Sequence, residues 1–179
     1  MHVKLFPQFL VMIKNFNYLF VTFLGIGTIR YAPGTIASLI TTIFLFSLFY
    51  ILNVSHILIL VLLLAIFFYS LLVISNYIKK NKNKDPKEVV IDEVIGQSIP
   101  IYFYEIAHQS EKNLSESLLI YFYIFILFRF FDIKKPFPIN IIDNKFKNSF
   151  GVVFDDIFAG IYVVLTLIIF MIIKSYFII

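Results

Sequence analysis

In LLIYFYIFILFRFFDIKKPFPI, residues 118–139, an uncharged apolar and aromatic run from Leu118 to Phe128 gives way to Arg129, Asp132, Lys134 and Lys135. Pro136 and Pro138 then forbid further regular helix. An apolar helix that gathers charge only at its end is a membrane helix reaching the boundary of the bilayer. Arg129 and Asp132 are three residues apart and share a helical face. A guanidinium and a carboxylate therefore sit together at that boundary with a lysine just beyond, a combination suited to a phosphate group and a metal ion.

The composition extends this reading to the whole chain. Of 179 residues, 60% are hydrophobic and 15% charged, and the mean hydropathy is +0.92. These values define an integral membrane protein. Phe occurs 23 times and Trp not at all, so Tyr must supply any interfacial belt. The lack of cysteine excludes disulfides, thiolate metal sites and cysteine-nucleophile phosphatase chemistry. The net charge of +4 lies in short loops between apolar runs, which points to membrane topology rather than to nucleic acid. Met1 to Asn17 carries Lys4 and Lys14 but no small-residue cleavage site, so residues 1–24 read as a peripheral or amphipathic lead-in and not as a removed signal.

Apolar runs occur at Thr35 to Leu52, His56 to Ile78, Ile91 to Tyr104, Leu118 to Phe131 and Phe154 to Ile173. The expected fold is all-α: a polytopic membrane bundle of about five embedded segments in a single domain. The third and fourth runs are short enough to be tilted or re-entrant. If all five cross, thirteen of the 15 Lys and Arg fall on one side, leaving Lys112 and Lys174 opposite. The positive-inside rule makes that side cytoplasmic. Arg30 to Thr35, Asp92 and Glu93, Arg129 to Lys135, and Asp155 and Asp156 then all lie at cytoplasmic helix ends, and the loop from Glu105 to Glu116 faces outward.

Carboxylates in or at the edge of apolar segments are costly unless paired, protonated or bound to a cation. With the acidic residues read as solvated set aside, Glu105 among them, five remain: Asp92, Glu93, Asp132, Asp155 and Asp156. That is more negative charge than Arg129 and Lys135 balance, and a hard divalent cation, Mg²⁺ first, would resolve it. Ordinary interhelical pairing is the competing reading. Asp92 and Glu93 point about 100° apart on a helix, so one can ligate metal while the other holds a neighbour. Asp156 and Gly160 share a face, which admits another backbone beside the carboxylate. Upstream, Pro33-Gly34 forms a turn and Thr35 is a candidate N-cap with amides placed for phosphate oxygens; no Walker A lysine follows. His2, His56 and His108 assemble into nothing, and an Asp-x-Asp nucleophile is absent.

Arg129-x-x-Asp132-x-x-Lys135-Pro136-x-Pro138-Ile139 resembles the central motif of the phosphatidylglycerophosphatase A family, bacterial membrane enzymes of phospholipid synthesis. Pro33-Gly34-Thr35 with Ser38, Asp92-Glu93-x-x-Gly96, Asp143, and Gly151-x-x-x-Asp155-Asp156-x-x-Ala159-Gly160 follow in the family's order, so the resemblance covers residues 25–160. Arg30 and Ala37 depart from the family's usual proline and glycine. The resemblance implies Mg²⁺-dependent hydrolysis of phosphatidylglycerophosphate to phosphatidylglycerol and phosphate at the cytoplasmic face of the inner membrane. It implies catalytic roles for Asp92, Asp132, Lys135 and Asp156, phosphate binding by Arg129, Lys135 and Thr35, and metal binding among Asp92, Glu93, Asp132, Asp155 and Asp156. The expected partners are that lipid and the membrane.

Two other readings fit less well. A CDP-alcohol phosphotransferase lacks support because its Asp-Gly-x-x-Ala-Arg pattern is missing. A cation transporter or channel subunit should spread polar residues through the membrane depth, whereas here they gather at one end.

Overall fold

The computed structural model describes residues 14–80, 87–108, 114–141 and 148–177. Five long helices carry the fold, one for each apolar run: α1 (Pro33–Phe46), α2 (His56–Lys80), α3 (Ile91–Ala107), α4 (Leu114–Lys134) and α5 (Ser149–Phe177). The all-α membrane bundle is therefore the fold. A 3₁₀ turn at Ile26–Thr28 leads into α1, which widens at its far end into a π turn, Ser47–Ile51. Asp143, part of the motif order read from sequence, lies outside the described residues.

α1 starts three residues earlier than the Thr35 cap would place it. Pro33 occupies the first helical position, where a missing N–H costs nothing because that group has no intrahelical acceptor. Ala32 is the N-cap, in the left-handed region at φ 46, and makes no side-chain cap hydrogen bond. Thr35 is thus a first-turn residue and not a cap.

Among the described residues, four segments are long and apolar enough to cross a membrane: Pro33–Ile51, His56–Lys79, Leu114–Lys134 and Ser149–Phe177. The fourth apolar run is not short after all, because the helix begins at Leu114 and takes in polar Ser115, Glu116 and Ser117. Ser117 is buried and accepts a hydrogen bond from the Tyr50 hydroxyl, which gives a polar residue in the first turn a partner inside the bundle.

α3 is the exception, 17 residues long and buried over most of its length. It packs chiefly on α5, then on α1, α2 and α4. Shielded from lipid by its neighbours, it can carry buried Asp92, Gln97, Ser98 and Glu105, which a lipid-facing helix of this length could not. Pro100 inside α3 removes the N–H that would bond the Gly96 carbonyl. Gly160 of α5 comes up against that carbonyl so closely that a Cβ on Gly160 would stand 2.5 Å from the Gly96 oxygen. A Cβ on Gly96 would stand 2.6 Å from the Asp156 carbonyl oxygen and 2.8 Å from Phe128 of α4. Small residues on both helices thus let the backbones touch, the usual device for helix association where lipid removes the hydrophobic incentive.

Successive helices alternate in direction, so the starts of α1, α3 and α5 share one end of the bundle with the ends of α2 and α4. At the opposite end Glu105, read from sequence as solvated, is instead fully buried. It accepts a 2.9 Å hydrogen bond from the Tyr121 hydroxyl, beside the Tyr50–Ser117 pair. The local sequence around Glu105 resembles a helix exit, and what buries it are side chains from α1 and α4. Replacing Glu105 by Ala leaves the Tyr121 hydroxyl without its acceptor. Thermal unfolding of the purified protein in detergent should show a loss of about 1–3 kcal/mol; an unchanged midpoint would mean that the clasp contributes nothing.

Candidate active site

The end of the bundle opposite Glu105 collects nearly every group singled out from sequence. Asp92 and Glu93 open α3, where acidic side chains also complement the helix dipole. Asp156 is held on α5 one turn before Gly160, so the Gly96–Gly160 contact delivers its carboxylate to the start of α3. Asp92, Glu93 and Asp156 each offer one carboxylate oxygen, and these oxygens all lie within 4.8 Å of one another. Asp92 and Asp156 are buried and Glu93 is partly so. Despite their divergent directions on α3, Asp92 and Glu93 both reach the group, because Asp156 enters between the faces they present.

Gly34 fixes Glu93. The glycine lies so close that a Cβ there would overlap Glu93 Oε1, so the first turn of α1 is the wall against which this carboxylate rests. The other oxygen, Glu93 Oε2, is buried with no hydrogen-bond partner.

Asp132 and Asp155 adjoin this trio and hold the cations. Arg129 Nη1 lies 2.6 Å from Asp132 Oδ2 and donates to Ser38 Oγ at 3.4 Å. Ser38 in turn donates to the Gly34 carbonyl at 2.8 Å. Arg129 Nε is buried and unbonded. Lys135 Nζ lies 2.6 Å from Asp155 Oδ2, and Asp155 Oδ1 accepts from the Asp156 amide at 3.1 Å. Lys135 follows the last residue of α4 at φ 42, and its amide donates to the Phe131 carbonyl at 2.8 Å. This left-handed residue ends the helix as a glycine commonly would, at a cost of order 1–3 kcal/mol, and Pro136 prevents resumption. The lysine side chain meets α5 from that exit. Asp92, Glu93, Asp132 and Asp155 all lie near enough to Asp156 to act on its charge, and Asp132 and Arg129 act likewise on Glu93.

Thr35 is half-buried in the first turn of α1, one residue beyond the glycine that touches Glu93. His56 and His108 lie at the far end. Gln97 received no attention from sequence, yet it is fully buried and neither amide atom has a hydrogen-bond partner. Its position four residues after Glu93, inside an otherwise apolar run, was the available signal.

The arrangement offers hard oxygen donors for a divalent cation and two cations for an anion, side by side at a membrane helix terminus. The chain matches the family model described as Phosphatidylglycerophosphatase A over residues 19–171. A protein of Bacteroides thetaiotaomicron provisionally named phosphatidylinositol-3-phosphatase is 31% identical over 142 residues, covering 77% of this chain and 82% of that protein. A Phosphatidylglycerophosphatase A of Haemophilus influenzae is 58% identical over 41 residues, 23% of this chain and 25% of that relative. No solved structure matches.

Adding a methyl group at Gly34 should push Glu93 out of the carboxylate group while leaving the bundle assembled, since only a side-chain end must move. Displacement of a reacting group by about 1 Å can cost roughly 100-fold in rate. Gly34→Ala should therefore lose phosphatase activity on that order with its thermal midpoint nearly intact. Retained activity would detach Glu93 from the chemistry.

Proposed function

The chain belongs to the phosphatidylglycerophosphatase A family and is a membrane lipid phosphatase, and from this premise we propose that it removes the terminal phosphate of phosphatidylglycerophosphate with the help of Mg²⁺. The observation that carries the proposal is the grouping of Asp92, Glu93 and Asp156 beside Arg129 and Lys135 at one end of the bundle.

The donor set fits the ion. Three carboxylate oxygens within 4.8 Å of one another, one glutamate having a second oxygen buried without a partner, are hard ligands that repel each other in the absence of a cation. Asp92, Glu93 and Asp156 would hold it. When bound, Mg²⁺ polarises a phosphoryl oxygen and offsets the charge that develops as the ester breaks. The remaining residues handle the substrate. Lys135 and Arg129 present cationic N–H groups to the phosphate dianion, exchanging part of their contact with Asp155 and Asp132 for it. Asp155 and Asp132 keep those cations oriented in its absence. Water supplies the oxygen that replaces the glycerol oxygen on phosphorus, and the glycerol oxygen leaves with a proton. Arg30, Lys79, Lys87 and Lys134 lie toward the same end as the site, which supports a cytoplasmic-facing site in the bacterial inner membrane.

A second substrate has one observation in its favour, the name of the Bacteroides thetaiotaomicron relative. Phosphate release should be followed from phosphatidylglycerophosphate and, in parallel, from phosphatidylinositol 3-phosphate. The proposal requires release from the first lipid in Mg²⁺, abolished by chelator. Preference for the inositol lipid would transfer the activity to that substrate. Asp156→Asn and Lys135→Ala should each lose more than roughly 100-fold, equivalent to about 2.7 kcal/mol of barrier, with the protein still inserted.

Metal binding can be read without turnover. If the three carboxylates bind Mg²⁺, the ion at about a hundredfold excess over its dissociation constant should raise unfolding stability by about 2.7 kcal/mol. In Asp156→Asn the rise should shrink while the metal-free protein becomes more stable, because one repelling charge has gone. An equal Mg²⁺ response in the variant would remove Asp156 from the metal site.

A further inference from the structure

The polar groups of α3 do not end with Glu93. Gln97 lies one helical turn further into the bundle on the same face, is fully buried, and has no hydrogen-bond partner at Nε2 or Oε1. An amide left unpaired in an apolar interior is costly, so an orphan of this kind calls for a missing partner. Ser98, the next residue, shows the ordinary solution: its hydroxyl donates to the Val94 carbonyl at 2.6 Å. Thr41 and Thr42 of α1 do the same, bonding to their own helix at 2.8 Å. Gln97 has no such outlet.

Its neighbours indicate what the partner is. α1 and α3 run in the same direction and touch where Gly34 meets Glu93. One turn on along each helix come Gln97 of α3 and Ser38 of α1, and Ser38 is in contact with Arg129 Nη1. From the other side, Phe128 lies against Gly96, so Arg129 is level with Gln97 to within a turn. Arg129 Nη1 is committed to Asp132 and Ser38, but Nε is buried and unbonded. Two buried N–H donors from different helices, Gln97 Nε2 and Arg129 Nε, are thus left without partners.

We propose that Gln97 is a further substrate-contacting residue: its carboxamide N–H, together with Nε of Arg129, receives an oxygen of the substrate's phosphate group one helical turn deeper than Glu93. The role rests on the phosphatase reading above. A phosphate monoester also carries a P–O–H part of the time near neutral pH, its second pKa being about 6, and this hydrogen suits Gln97 Oε1. The same group recognises phosphate on a lipid headgroup and free phosphate released as product.

The test uses the full-length protein purified in detergent with Mg²⁺ present throughout. Gln97→Met keeps the volume and removes both orphaned atoms. It should leave the ligand-free thermal midpoint unchanged or higher, raise the inhibition constant of inorganic phosphate about tenfold or more, and raise KM for the lipid substrate in parallel. Gln97→Glu, which sets a negative charge against the phosphate, should weaken both further. Inhibition by phosphatidylglycerol, which lacks the terminal phosphate, should not change in either variant. Ser98→Ala should leave phosphate inhibition as in the wild type. Loss of stability in Gln97→Met would mean that the amide is already satisfied within the fold, and would overturn the proposal. So would unchanged phosphate inhibition in Gln97→Met, or an equal effect in Ser98→Ala. Wild-type protein that binds inorganic phosphate through Gln97 but cleaves no phosphatidylglycerophosphate would overturn the substrate assignment alone.

Discussion

The contact on which the structure depends is the meeting of two backbones, α3 at Gly96 and α5 at Gly160. Carboxylates cannot be brought together on membrane helices by hydrophobic association, since lipid competes equally for apolar faces. They are brought together here by shape. Two glycines let the helices close to backbone contact, and Pro100 leaves the Gly96 carbonyl free of an intrahelical bond at the point where Gly160 arrives. Packing energy at this crossing holds Asp156 against the repulsion of Asp92 and Glu93. A similar economy operates at Gly34, where the absence of a side chain makes room for a carboxylate.

The constellation separates its charges by task. Three carboxylates converge, while two others are each tied to a cation at 2.6 Å. Ion pairs of this kind in a low-dielectric setting bring little net stability. Their value lies in holding Arg129 and Lys135 extended at defined places, so that less side-chain freedom is lost when an anion arrives.

Much of this was legible in the residues. The apolar runs located all five helices, and the alternation of basic loops placed the polar motifs at one end, as the structure also does. The motif from Arg129 to Ile139 carried its own geometry, because three-residue spacing and two prolines dictate both the Arg129–Asp132 pair and the exit at Lys135. The division of the carboxylates was not legible. Sequence treats Asp132 and Asp156 alike, and only the crossing of α3 with α5 decides which one joins Asp92 and Glu93. Thr35 was misplaced because its capping preference is local, whereas Pro33 sets the helix start. Glu105 and Gln97 were passed over for the same reason: a polar residue on a short apolar helix looks solvated until its neighbours are known, and those neighbours lie on α1 and α4.

The length of α3 limits where its polar ends can lie. Asp92 and Glu105, both buried, are thirteen residues apart, a rise of about 20 Å, whereas the hydrocarbon layer of a bilayer is about 30 Å thick. The two polar ends of this helix cannot both reach the headgroup planes. At least one of these ends must therefore sit at the depth of the acyl chains, where only protein can satisfy a polar group; Glu105, fully buried and bonded to the Tyr121 hydroxyl, has such a partner.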